Sequence, residues 1–299
     1  MKYLLTTDIG GTFTKLALIS VDGQLREKVE IKTPRTFLKF AQLLIDYYEQ
    51  HKKAYPIMGV AISSPGSVTK EGEVYGYSSV PFIHEQNMKV YFETKLRLPV
   101  TIENDANCAA LAEMWNGAAE GVNTYACIVC GTGVGGAFIM DKKLYRGAHL
   151  HGGEFGYMIL SRNEKTGHRQ TWSELGSSSA IVSRLQQVET TEKWTGPLVF
   201  QQAENNEEAK KSLDVFFQTL AIGIFNIQYM LDPEKVLIGG GITRQPTFLS
   251  RLNVYLNELY VEKPYAEVRA SVSLCHYLDQ AQLFGAAYVW FEEVEGGIK

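Results

Sequence analysis

Asp8 is followed by Ile9 and then by Gly10-Gly11-Thr12, with Lys15 three residues further on. A carboxylate beside paired glycines suits a phosphate site that also needs a cation. Glycine lets backbone N–H groups approach phosphate oxygens that a side chain would block. The carboxylate would repel those oxygens unless magnesium lay between, bound to Asp8 directly or through a water. Thr12 adds a hydroxyl and Lys15 a positive charge. Two more glycine turns, Gly131-Thr132-Gly133-Val134-Gly135-Gly136 and Gly239-Gly240-Gly241, also follow apolar, strand-like runs. Any one of these could be only a tight turn, and Asp8 only a turn cap; three together favour a nucleotide. Neither GxxxxGK[ST] nor a GxGxxG that opens a helix follows the first strand, which counts against P-loop and Rossmann sites.

A second constellation is Glu103-Asn104-Asp105-Ala106-Asn107, where a strand-like run over 100–102 gives way to helical spacing at Cys108, Leu111, Ala112 and Trp115. Asn104 or Asp105 would serve as an N-cap at such a junction. A carboxylate at the C-terminal edge of a strand is also where a general base belongs in an open α/β sheet. There it could accept the proton of a hydroxyl attacking a γ-phosphate.

These groups need a scaffold. Apolar β-prone runs over 3–9, 16–20 and 24–33 predict an antiparallel meander. Phe37, Phe40, Ala41, Leu44, Ile45 and Tyr48 then fall at helical spacing after Pro34. A buried strand over 58–63 runs into Ser64-Pro65-Gly66. The pattern restarts with a strand over 125–130, a turn over 131–136 and a returning strand over 137–140. This echo of the first hairpin suggests two related halves. A helix over 216–230, a strand over 236–238, a helix over 246–260, a strand over 268–274 and a helix over 279–293 close the chain. The polar stretch 201–211 reads as a solvated helix or loop. Two α/β domains with a cleft between them are expected, the first spanning 1–117 with a C-terminal helix over about 283–299, the second 118–282.

Composition limits the partners. The chain has 299 residues, 45% hydrophobic and 21% charged, with a net charge of −4. No general attraction to nucleic acid or anionic membrane is expected. The longest apolar runs fall far short of the ~18 residues of a membrane helix. The short run in MKYLLTTDIGG, meeting Asp8 so early, is no signal-peptide core. Four cysteines are no disulfide framework in a chain of this length. Cys127 and Cys130 form a nominal C-x-x-C whose side chains should alternate across a strand. A cytoplasmic protein acting on a small molecule is expected.

The chain resembles the ROK family of sugar kinases and sugar-responsive repressors, within the actin-like ATPase superfamily. The resemblance runs nearly the whole length: DIGGTFTK from Asp8 to Lys15, SSPG from Ser63 to Gly66, ENDAN from Glu103 to Asn107, GTGVGG from Gly131 to Gly136, HGGEFG from His151 to Gly156, and LIGGGI from Leu237 to Ile242. It implies two actin-like (ribonuclease H-like) α/β domains with the active site in the interdomain cleft, ATP and magnesium as cofactors, and a homodimer. It makes Asp105 the base that takes the proton of a sugar 6-hydroxyl. Ser64, Gly66 and Asn104 would hold neighbouring hydroxyls, and Glu154 those near the anomeric end. Asp8, Gly10, Gly11 and Thr12 would surround phosphates and magnesium, Gly131, Thr132 and Gly133 would close from the other domain, and Gly240 and Gly241 would lie near adenosine. Glucose, β-glucosides and N-acetylmannosamine are the implied acceptors, a glucose-type ring being preferred. A non-catalytic sugar sensor would need a DNA-reading segment, and none is expected with the first strand opening at Tyr3; another actin-like ATPase would not need the Glu103–Asn107 and Glu154 motifs.

The sequence also departs from the family. Many ROK proteins hold a structural zinc with a His after the GExG turn and three Cys in CxCGxxGC. Tyr157 stands where that His would be, and no Cys occurs between 131 and 274. With about four N or S ligands required, His168 alone cannot bind zinc, and no structural zinc is expected. Glu174 matches the sugar-contacting Glu that follows the last zinc Cys, with packing around Trp172 expected to place it and Tyr157 to reshape the anomeric end. His149 and His151 lack an evident third ligand and read as a polar loop.

Overall fold

Leu4, Leu5 and Ile9 are fully buried, and they drive β1 (Tyr3–Ile9) into the centre of a sheet. β2 (Phe13–Ser20) and β3 (Leu25–Lys32) complete a meander, whose outer strand exposes Arg26, Glu27, Glu30 and Lys32 as suits a sheet edge. α1 (Phe37–His51) buries Phe37, Phe40, Ala41 and Leu44 along one stripe. Its N-cap is Thr36, so Pro34 lies outside the helix. β4 (Ile57–Ser64), the small hairpin β5 (Ser67–Val68) and β6 (Val74–Tyr75), α2 (Met88–Leu96), β7 (Val100–Asn104) and α3 (Asp105–Asn116) follow.

A second sheet begins with β8 (Tyr125–Cys130), β9 (Val134–Met140) and β10 (Lys143–Leu144). The hairpin β11 (Ile159–Arg162) and β12 (Arg169–Thr171) leads into α4 (Trp172–Gly176), α5 (Ser178–Val188) and α6 (Gly196–Gln202). α7 (Glu207–Leu231), β13 (Lys235–Gly239), α8 (Phe248–Glu262), β14 (Val272–Leu274) and α9 (Ala281–Val294) complete the chain.

The computed structural model describes residues 1–76, 78, 80–190 and 193–297. They divide into two units: Met1–Gly117 with Gly147–His151 and Gln280–Lys299, and Ala118–Arg146 with Gly152–Asp279. The last two residues of the expected C-terminal helix lie outside the described residues.

The two five-stranded sheets have one topology. Their orders are β3-β2-β1-β4-β7 and β10-β9-β8-β13-β14. In each, an antiparallel meander is extended by parallel strands. The echo between the two halves of the sequence is thus a repeat of architecture. In the first unit Leu5, Leu16, Leu18, Val60 and Ile62 pack with Phe40, Leu44 and Phe92. α9 packs on α3 and on β1, β4 and β7. The approach of α9 to α3 is close enough that a Cβ on Gly285 would overlap the Cys108 carbonyl. The second core joins Ile128, Cys130 and Phe138 to Trp172, Phe216, Phe217, Leu220 and Phe248.

Several expectations need correction. Val134 already pairs with Cys130, so the turn after β8 is only Gly131 to Gly133, and Gly135 and Gly136 belong to β9. The polar stretch 201–211 divides, because Asn206 caps α7 through Ala209 N–H and the helix starts there. The last parallel strand begins at Val272 rather than near 268. α2 and α4 to α6 escaped the periodicity because they are short; α2 buries only Met88 and Phe92. Side-chain caps at Asn87, Thr171, Ser177 and Thr195 mark their starts.

Candidate active site

The carboxyl ends of β1, β4 and β7 lie side by side. Asp8 pairs with Ser63, Ser63 with Glu103, and Ser64 with Asn104. Residues paired in register share a face, so Asp8, Ser63 and Glu103 form one row. Asp8 is 7% exposed. Its Oδ1 accepts the Ser63 hydroxyl at 3.0 Å, and its Oδ2 accepts the Lys15 ammonium at 3.2 Å. Lys15 is also Asp8's partner across the first hairpin. The positive charge expected near phosphates is thus engaged by Asp8, and the pair presents less net negative charge than Asp8 alone. One carboxylate with two donors already in place fits magnesium held through water, since that ion keeps most of its waters. Among the described residues no group of three or more His, Cys, Asp or Glu could hold a metal.

The turn beyond Asp8 is tied from outside the motif. Gly10 N–H donates to Phe13 O at 3.1 Å, Thr33 N–H to Thr12 O at 3.0 Å, and the Thr33 hydroxyl to Gly10 O at 2.6 Å. Sequence reasoning missed Thr33; its position directly after an edge strand was the available signal. Gly11 and Thr12 are exposed.

At β4's end Ser64 is buried with its hydroxyl on Pro65 O, and Gly66 adopts φ +90°, where an added Cβ would strike the Tyr75 carbonyl. Asn104 is both cap and connector. Its Oδ1 accepts Ala106 N–H at 2.9 Å and Asn107 N–H at 3.0 Å. Its Nδ2 donates to Gly66 O at 3.0 Å and to Asp105 Oδ1 at 3.1 Å. The N-cap reading of Asn104 therefore holds, and the same side chain links both site motifs. Asp105 opens α3, half-buried, its Oδ1 also accepting Ala106 N–H at 2.9 Å. Beneath it burial pushes the Cys108 thiol well above its ordinary range, and Glu103, Asp105 and Asp8 push it the same way.

In the second unit Gly131 N–H bonds Gly133 O at 2.9 Å, and Gly131 O accepts Ser178 N–H at 2.9 Å. The Ser179 hydroxyl donates to Thr132 O, so the start of α5 anchors this turn. Gly240 has φ +101° and abuts the Cys130 carbonyl. A Cβ on Gly131 or Gly241 would meet nothing within 4 Å, leaving the open backbone a phosphate or nucleoside needs.

Glu154 is half-buried ahead of a 3-10 turn over Phe155–Tyr157, and Tyr157 is 72% exposed. Trp172 is fully buried, facing Gly176 and Gly223, and opens the short helix that carries Glu174. Glu174 also closes a capping box, its Oε2 accepting Thr171 N–H at 2.7 Å and the Thr171 hydroxyl at 2.9 Å. His168 Nε2 lies 2.9 Å from its Oε1. These bonds, the Thr171 backbone first, lower the Glu174 pKa from 4.5 to about 2. Because the folded value is the lower one, the stability these bonds add is complete above about pH 4.5 and is lost as pH falls towards 2. Glu174→Gln is expected to lower Tm by roughly 1–3 °C at neutral pH, an exposed pair being weak. The gap to the parent should close near pH 2; a constant gap across that range would remove the carboxylate charge from the account.

His149 and His151 are exposed, and His151 Nδ1 bonds the His149 carbonyl at 2.7 Å, a local loop contact. Cys130 joins the second core, while Cys127 Sγ lies 3.8 Å from Cys275 Sγ; all four cysteines are free thiols.

The sequence profile of the ROK family matches residues 4–293. A β-glucoside kinase of Listeria monocytogenes is 31% identical over 295 residues, covering 96% of each chain. A glucokinase of Halalkalibacterium halodurans is 27% identical, covering 81% of each. Among solved structures, a ROK family protein of Streptococcus pneumoniae in complex with sucrose superposes with a TM-score of 0.88 at 33% identity, covering 98% of this chain and 99% of that one.

Proposed function

The chain belongs to the ROK family, and on that premise we propose that it is a sugar kinase, moving the terminal phosphoryl group of ATP to the 6-hydroxyl of a hexose or hexose derivative. The favoured acceptor is a glucose ring, free or in β-glucosidic linkage, with N-acetylmannosamine the other candidate. The likeness to the β-glucoside kinase of Listeria monocytogenes supports that order. The observation that carries the reading is the pair of hydrogen-bonded groups, Asp8 with Ser63 and Gly66 with Asn104 and Asp105, set side by side where β1, β4 and β7 end.

In this reading Asp105 accepts the proton of the 6-hydroxyl as its oxygen attacks the terminal phosphorus and the bond to the departing ADP breaks. Phosphoryl transfer passes through a loose transition state, so the protein chiefly positions groups and neutralises charge. Asn104 and Gly66, already bonded to each other, hold the neighbouring hydroxyls with Ser64, and Glu154, Glu174 and Tyr157 serve the anomeric end. Gly11 and Thr12 receive phosphate oxygens on a turn that Gly10 closes through Phe13 O and Thr33 keeps rigid, with Lys15 holding Asp8 in place. Gly131, Thr132 and Gly133, and the backbone at Gly240 and Gly241, serve the nucleotide. Asp8 would hold magnesium through water, and the ion would supply neutralisation of the phosphate charge.

A coupled ADP-release assay across glucose, cellobiose, N-acetylglucosamine and N-acetylmannosamine tests the reading. Glucose or cellobiose is expected to give the highest kcat/KM. Absence of turnover on every sugar would overturn the kinase assignment, and a top rank for N-acetylmannosamine would overturn the acceptor preference.

A further inference from the structure

We propose that Glu103 is a positioning residue that fixes Asp105 through a closed ring of hydrogen bonds; the inference rests on the base role given to Asp105 above. Glu103 is 3% exposed at the end of β7. A carboxylate buried this deeply needs donors around it. Its Oε1 accepts Asn104 N–H at 2.8 Å and the Asn107 side-chain amide at 2.9 Å. Asn107 lies in the first turn of α3, its own N–H on Asn104 Oδ1 at 3.0 Å, and Asn104 Nδ2 reaches Asp105 Oδ1 at 3.1 Å. The ring thus runs from strand end to helix turn and back through Glu103, Asn107 and Asn104, and Asn104 Nδ2 ties Asp105 to it.

Helix capping alone does not account for Glu103. Asn104 already satisfies the N–H groups of Ala106 and Asn107. Glu103 reaches the side chain of Asn107, which is no orphan helix donor. What that bond adds is a fixed angle between β7 and α3, and hence a fixed place for Asp105. The sheet register extends the effect: Glu103 pairs with Ser63, which donates to Asp8. Proton acceptor and phosphate-side carboxylate are thereby held from one row of strand ends.

The test compares Glu103→Ala, Glu103→Gln, Asn107→Ala and the Ala/Ala double variant, with Asp105→Asn assayed in parallel and thermal melts run on each. A misplacement near 1 Å costs about 100-fold, so Glu103→Ala is expected to lower kcat about 100-fold, with the KM of sugar and ATP within about threefold. Glutamine can still accept both bonds, so Glu103→Gln should recover kcat to within about fivefold of the parent. Asn107→Ala should lose about 10-fold, and the double variant should be no slower than Glu103→Ala, because both act through one bond. Asn107 is half-buried and alanine favours helix, so that variant decides the matter even if Glu103→Ala does not fold. Full kcat in Asn107→Ala, a glutamine variant as slow as alanine, or losses that appear only in KM would overturn the proposal. If these occur while Asp105→Asn is inactive, the positioning role alone falls; an active Asp105→Asn removes the base and this inference with it.

Discussion

Asp105→Asn is expected to lower kcat by about 1,000-fold while sugar affinity stays within about threefold. General-base removal is worth about 10²–10⁴-fold. The asparagine keeps the size of the side chain, and its carbonyl oxygen can still accept the bonds now made to Oδ1 by Ala106 N–H and Asn104 Nδ2. The junction therefore survives, and so do Asn104 and Gly66, to which the proposed function gives the neighbouring hydroxyls. What disappears is the capacity to take a proton. Calorimetric titration with sugar, beside the ADP-release rate, separates the two effects. A variant that turns over at the parent rate removes Asp105 from the base role. One that fails to bind sugar makes Asp105 a ligand of the acceptor rather than its base.

Asp8→Asn should reduce kcat/KM for ATP about 100-fold at fixed magnesium, the size expected when one preorganised electrostatic partner is lost at a site of developing charge. The amide can still accept from Ser63, so the strand ends stay aligned. Its charge is gone, and Lys15, whose side chain is only 16% exposed, loses one ion-pair partner at the head of the hairpin. Raising magnesium should recover part of the loss, because a water-mediated anchor is weakened and not abolished. Sugar affinity, assigned in the proposed function to the Ser64–Gly66 turn and Asn104, should not move. ATP kinetics within about threefold of the parent, with an unchanged magnesium optimum, would exclude Asp8 from the phosphate site.

The sequence alone settled what neighbouring residues encode. The order of strands and long helices, the glycine turns and the strand-to-helix junction at Asn104–Asp105 were legible because side-chain period, turn chemistry and capping act over a few residues. So was the doubling of the fold, since each half repeats the same local signals. Membership of the family followed from several short motifs in a fixed order. Tertiary structure decided what depends on residues far apart in the chain. Asp8, Ser63 and Glu103 became one row only through the registers of β1, β4 and β7. Thr33 became part of the Gly10–Thr12 turn only because β3 ends beside it. The Glu174 capping box, by contrast, is local, set by the Thr171-x-x-Glu174 spacing, and only the burial of Trp172 belongs to the packed chain. Pairing register and donor supply are properties of the assembled sheet and its loops, and no window of adjacent residues contains them.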